Sequence, residues 1–149
     1  MMKEENYTLE LSSNRRTSFL YGHDKQITFL LNRLRTSQIP NAWLFHGPMG
    51  VGKASLALNV GKVISNIDFS KENHVASISE VDVRNPKTTV NINNVYYCRR
   101  RWDDKKKLFQ KYISIEDIRV LNRKLALSST DKSYKVCVVD TTEDLNISA

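Results

Sequence analysis

Gly47-Pro-Met-Gly-Val-Gly-Lys53 places three of the chain's five glycines within six positions and closes on a lysine. The spacing satisfies G-x-x-x-x-G-K, the first seven positions of the phosphate-binding loop pattern. Glycines let successive backbone N–H groups turn inward around phosphate oxygens. A helix that follows adds the positive end of its dipole, and the lysine reaches the terminal phosphates. Gly47, Pro48, Met49, Gly50, Val51, Gly52, Lys53, Ala54 and Ser55 are therefore expected to cradle ATP or ADP. The competing reading is a glycine-rich turn between a strand and a helix.

The eighth position departs from the pattern. A Ser or Thr hydroxyl there completes the magnesium shell, and this chain has Ala54. Ser55 comes next, but one residue along a helix turns a side chain by about 100 degrees, so it is no simple substitute. The second half of such a site is an apolar strand ending in a carboxylate. "VCVVD" ends in Asp140, expected to reach magnesium through water and, without the hydroxyl, to hold it weakly. Hydrolysis also needs a carboxylate close by to ready the attacking water. The residue after Asp140 is Thr141, whose hydroxyl is no base near neutral pH, and Glu143 stands two further on. Little or no ATP hydrolysis by the chain alone is the expectation.

Strands and helices must hold these groups in place. Ile27, Leu30, Leu31 and Leu34 fall at offsets 0, 3, 4 and 7, predicting a helix over 24–38 that Pro40 ends. Ala42 to Phe45 is a short apolar run that reads as a strand buried on both faces. Leu56, Val60, Val63, Ile64 and Ile67 predict a second helix directly after the loop. A strand is expected around Thr89 to Cys98. Ser114 with Asp117 reads as a capping box and Ile113 with Ile118 as its staple, opening a third helix over 115–127. "SSTDKS" is a turn and "YKVCVVD" a buried strand. Strands alternating with helices imply an α/β fold with a parallel sheet and flanking helices.

The 149 residues suffice for one domain with a core, and 40% hydrophobic with 26% charged residues is ordinary for a globular chain. The longest apolar runs are four or five residues, against roughly 20 for a membrane span. The N-terminus carries acids and lacks an apolar stretch, so a cytoplasmic protein with no membrane partner is expected. The net charge of +7 permits a polyanion partner without choosing one. Cys98 and Cys137 lie 39 residues apart with no C-x-x-C partner, which predicts free thiols and no zinc. His23, His46 and His74 are scattered without ligand spacing.

With these residues in place, the chain resembles the delta-prime subunits of the bacterial DNA polymerase III clamp loader, members of the AAA+ group of P-loop proteins. "FLYGHDKQ", "LLNRLRTSQIPNAWLFHGPMGVGKASLALNV" and "ISIEDIRVLNRKLALSSTDKSYKVCVVDTTEDLN" carry the resemblance, in family order and spacing. It implies a subunit of a five-membered ring that opens a sliding clamp and places it on primed DNA. Delta-prime is usually the rigid stator there, while neighbouring subunits supply ATP turnover. By the same carry-over Leu20, Tyr21 and Gly22 would flank the base, Gly47, Gly50, Gly52 and Lys53 the phosphates, and Asp140 would mark the second motif. Many clamp-loader subunits bear a four-cysteine zinc module between the two motifs, where this chain has Cys98 alone. Family chains continue past the second motif into two more strands, a segment with a trans-acting arginine, a lid and a helical collar. By this resemblance residues 1–149 are expected to be a partial AAA+ nucleotide-binding domain, the N-terminal piece of a longer ancestor, for which ring assembly is not assumed without the collar.

Two further readings stay open. A stand-alone P-loop ATPase or kinase would also carry the loop and Asp140. "RRRWDDKKKLFQK" is either a nucleic-acid contact, with basic residues on phosphates and Trp102 and Phe109 on bases, or a solvated surface segment.

Overall fold

A computed structural model describes residues 19–36, 38–67, 83–86, 94–127 and 134–146. The first helix, α1 (Asp24–Arg35), buries the four residues of its apolar stripe, Ile27, Leu30, Leu31 and Leu34. It stops three residues short of the expected end. The Thr36 backbone N–H and hydroxyl both bond the carbonyl of Asn32, at 3.1 and 2.9 Å, closing the last turn before Pro40 is reached.

Helix α2 (Lys53–Ser65) follows the glycine loop and buries Leu56, Val60, Val63 and Ile64, with Ile67 buried just beyond its end. The two helices share one apolar cluster with Leu20 and Val83. Burial of this kind is worth about 1.5–3 kcal/mol for each large aliphatic side chain.

Strand β1 (Val95–Cys98) covers the described end of the segment expected over 89–98; the residues from Thr89 to Asn93 lie outside the described ones, as does the "SSTDKS" turn. A two-residue strand, β2 (Trp102–Asp103), pairs antiparallel with β3 (Leu108–Phe109) in a hairpin, Trp102 opposite Phe109. The third helix, α3 (Ile115–Ala126), begins at the expected capping box. The Ser114 hydroxyl accepts the Asp117 N–H at 3.3 Å, and the Asp117 carboxylate takes the Ser114 N–H at 3.0 Å.

Strand β4 (Val136–Val139) lies parallel to β1, with Val95 opposite Val136 and Cys98 opposite Val139. Side chains alternate along both strands. Val95, Tyr97 and Val138 belong to the face packed on α2 through Ala57 and Leu58. Gly61 of α2 comes so close that a Cβ there would stand 3.1 Å from Val136 Cγ1. Tyr96, Cys98 and Cys137 fall on the other face, where Lys124 of α3 sits 5.8 Å from the Tyr96 ring centre.

One expectation is overturned. Ala42 to Phe45 joins no ladder among the described residues, and Leu44 is 80% exposed rather than buried. A strand exists by pairing, and β4 pairs with β1 while the Ala42–Phe45 segment shares a cleft with β4 without bonding to it. Trp43 packs instead edge-on to Phe29 of α1, ring centres 6.1 Å apart, its indole N–H buried without a partner among the described residues. The β4 strand is also less covered than its composition suggests, with Val138 its buried residue. No described helix is long and apolar enough to cross a membrane.

Candidate functional site

The glycine loop ends where α2 begins. Gly50 (φ 86°) and Gly52 (φ 93°) hold left-handed backbone conformations that L side chains rarely adopt, and a Cβ on Gly50 would meet open space. Gly52 is the N-cap of α2 and offers no side chain to its first turn, so those N–H groups lack a side-chain cap. Lys53 folds back over the loop, its Nζ donating to the carbonyls of Gly47 and Pro48 at 2.8 Å each.

A cleft of about 950 Å³ opens beside the loop. Gly47, Met49, Lys53 and Ala54 line it together with Asp140 and Glu143, so residues about ninety apart in sequence meet in one space. The register explains Asp140. It continues β4 on the face of Val136 and Val138, the face packed on α2, and its backbone N–H bonds Cys98 O at 2.8 Å. On the same face of β1, the Tyr97 hydroxyl donates to Asp140 Oδ2.

The remaining expected residues fall elsewhere. Pro48, Gly50, Val51, Gly52 and Ser55 do not line this cleft. Leu20 is buried, its Cδ1 3.8 Å from where a Cβ on Gly52 would stand. Tyr21 is 81% exposed and rests on Phe19, while Gly22 offers its carbonyl to Arg84 at 2.8 Å. The loop is thus flanked by the cleft and by the segment around Leu20.

Three residues that the motifs did not mark hold this arrangement. His23 Nε2 donates to Val51 O at 2.7 Å and fastens the Leu20 segment to the loop. Arg84 donates to Leu20 O at 3.0 Å and to Gly22 O, and pairs with Asp24; its own carbonyl accepts the N–H of Leu20 at 3.0 Å. Tyr97 occupies one oxygen of Asp140. Periodicity gives no sign of the last two. His23, beside a glycine and just ahead of an acidic first turn, sits where a helix start is expected.

The donor set separates two ligands. For a phosphate chain the parts agree: glycines in left-handed conformations, a helix start without a side-chain cap, and a lysine whose present acceptors are backbone carbonyls. For magnesium they fit less well, since Ala54 offers no side-chain oxygen and one oxygen of Asp140 is engaged by Tyr97. Among the described residues no three His, Cys, Asp or Glu side chains gather as a metal site. Both cysteines are free; burial raises the Cys98 thiol pKa and pushes that of Cys137 up to about 12.

A family model described as DNA polymerase III, delta subunit, matches residues 22–149. No curated protein and no solved structure matches the chain.

Proposed function

The chain belongs to the DNA polymerase III delta subunit family, a family of DNA replication and clamp loading, and from that premise we propose that it is a delta-prime-like stator subunit whose loop binds nucleotide without turning it over. In this reading the described α/β unit is part of an AAA+ nucleotide-binding domain, and its partners are other clamp-loader subunits and, through them, primed DNA. ATP or ADP lies along Gly47–Lys53, with the base toward Leu20, Tyr21 and Gly22. Lys53 leaves the Gly47 and Pro48 carbonyls for the phosphates.

The observation that carries the reading is the make-up of the cleft. Lys53 and Asp140 share it, yet Ala54 and Thr141 stand where the metal-binding hydroxyl and the water-activating carboxylate belong. A phosphate cradle without those two groups binds and does not cleave.

A second reading, a P-loop ATPase or kinase acting alone, draws on Glu143, a residue that lines the same cleft. One experiment separates them. The purified chain is titrated with a fluorescent ADP or ATP analogue, with and without magnesium, and phosphate release is followed in parallel. The stator reading expects binding that Lys53→Ala weakens by roughly 10- to 100-fold, the scale of a charged hydrogen bond. It also expects magnesium to change that affinity little and phosphate release to stay at the buffer rate. Magnesium-dependent release abolished by Glu143→Gln would establish the enzyme instead.

A further inference from the structure

The β2–β3 hairpin projects a compact basic and aromatic surface that borders the nucleotide cleft at Phe109 and otherwise lies outside it. The sequence presents Arg99–Arg101 and Lys105–Lys107 as one basic run, but the structure divides it. Arg101 pairs with Asp117 of α3, Arg100 with Asp144 at 2.9 Å, and Arg99 lies 5.9 Å from the Tyr97 ring centre. The arginines therefore anchor the base of the ribbon to the body. Gln110 N–H adds a bond across the base to Arg101 O at 2.8 Å.

The lysines are arranged differently. Lys105, Lys106 and Lys107 occupy the turn, are exposed, and pair with no carboxylate among the described residues. Asp103 and Asp104 offset part of this charge but pair with none of the three ammonium groups; one oxygen of Asp103 takes the backbone N–H groups of Lys105 and Lys106 at 3.0 and 3.1 Å and sets the turn. Below the tip, Trp102 and Phe109 face each other across the ribbon, ring centres 5.1 Å apart and nearly perpendicular. They stay 49% and 45% exposed, so each keeps ring surface open to solvent.

We propose that this hairpin is a sequence-independent contact for single-stranded nucleic acid, with Lys105–Lys107 on successive phosphates and Trp102 and Phe109 as the platform for an unpaired base. Lysines on a turn present compact point charges without the planar fork of arginine, and exposed rings beside them stack on any base. A duplex keeps its bases stacked on one another and leaves the rings unused. The proposal does not depend on the nucleotide reading of the loop, because Trp102 and Lys105–Lys107 lie outside the cleft, which the hairpin touches through Phe109.

The test is fluorescence anisotropy of the whole chain with a labelled twenty-nucleotide oligo-dT and with a duplex of equal length, over a range of salt. Oligo-dT is expected to bind more tightly than the duplex. Replacing Lys105, Lys106 and Lys107 together by alanine should make the slope of log affinity against log salt less negative by about 2, the release expected from three phosphates on a single strand. Replacing all three by arginine should keep the slope. Trp102→Leu should lower oligo-dT affinity on the order of tenfold at unchanged slope, with Trp102→Phe close to the parent. Absence of binding, equal or tighter binding of the duplex, or a slope unmoved by the triple alanine change would overturn the proposal. If the alanine variant instead loses affinity for a partner protein and none for oligo-dT, the surface is a protein interface and the proposal fails.

Discussion

Tyr97 of β1 and Asp140, the residue directly after the parallel strand β4, are joined by the phenol hydroxyl, which donates to one carboxylate oxygen of the aspartate. The pairing follows from register: both residues lie on the face turned to α2, beside the loop that carries Lys53. Tyr97 thus engages one of the two oxygens with which Asp140 would hold a magnesium ion. Tyr97→Phe should release it at a stability cost of about 1 kcal/mol, the usual net worth of one hydrogen bond. The variant is expected to gain magnesium dependence in nucleotide binding, with affinity rising up to about tenfold when magnesium is added. Titration of parent and variant with and without the metal checks this, and equal magnesium effects in both would refute it.

Arg84 ties the segment before α1 to the rest of the core through two backbone carbonyls and Asp24. Its side chain is 13% exposed while that of Asp24 is 78% exposed, so the carbonyl bonds matter and the ion pair is screened. Arg84→Ala should therefore cost about 2–3 kcal/mol, leaving the Leu20 and Gly22 carbonyls without their donor. Asp24→Asn should stay within about 0.5 kcal/mol of the parent. Urea unfolding of the two variants measures the contrast; equal losses would assign the stabilisation to the ion pair.

How much of this was legible in the sequence depends on the range of the interaction. Helices α1 and α2 were, because their apolar stripes repeat within the segment itself, and α3 was, because Ser114 and Asp117 cap each other three residues apart. The strand expected at Ala42–Phe45 failed because strand formation needs a partner's backbone edge, which composition does not contain. The loop pattern pointed to Lys53 and the apolar strand to Asp140, and both line one cleft. Tyr97 and Arg84 left no mark, since each acts on a residue more than forty positions away. The hairpin was partly readable: an aspartate that accepts N–H groups two and three residues on is a known way to make a turn, and Asp103 stands between Trp102 and the lysines.

Gly61 and Val136 set how closely α2 approaches the sheet. A Cβ at position 61 would lie 3.1 Å from Val136 Cγ1 and 3.7 Å from Val95 Cγ1. Gly61→Val forces these apart and should destabilise by about 1–3 kcal/mol, as overpacking does. Val136→Ala removes the obstructing methyls, so the double variant Gly61→Val with Val136→Ala should be less unstable than the sum of the single changes, with a coupling of at least about 0.5 kcal/mol. A thermal or urea cycle of the four proteins decides it, and strict additivity would mean that the helix moves away as a unit.

Cys137 sits on the sheet face away from α2, where burial first and the neighbouring Cys98 second push its thiol up to about 12 from an ordinary 9.0. The thiolate is the reactive form, and three units correspond to about a thousandfold less of it at pH 8. Iodoacetamide should therefore label Cys137 slowly in the native chain and readily in urea, as read by mass spectrometry of the digested protein. The same shift makes stability depend on pH in one direction. Well below pH 9 the thiol is neutral in folded and unfolded chains alike and contributes no slope. Between 9 and 12 the unfolded chain ionises first, binds fewer protons than the folded one, and stability falls as pH rises. Tyr96, whose hydroxyl burial also raises, adds to that fall, while Lys62, whose ammonium burial lowers, opposes it. Cys137→Ala isolates the thiol: comparing unfolding midpoints at pH 8 and pH 10, the variant should lose less stability than the parent. Equal losses, or fast native labelling at pH 8, would show that water reaches the sulfur and that the strand face is open.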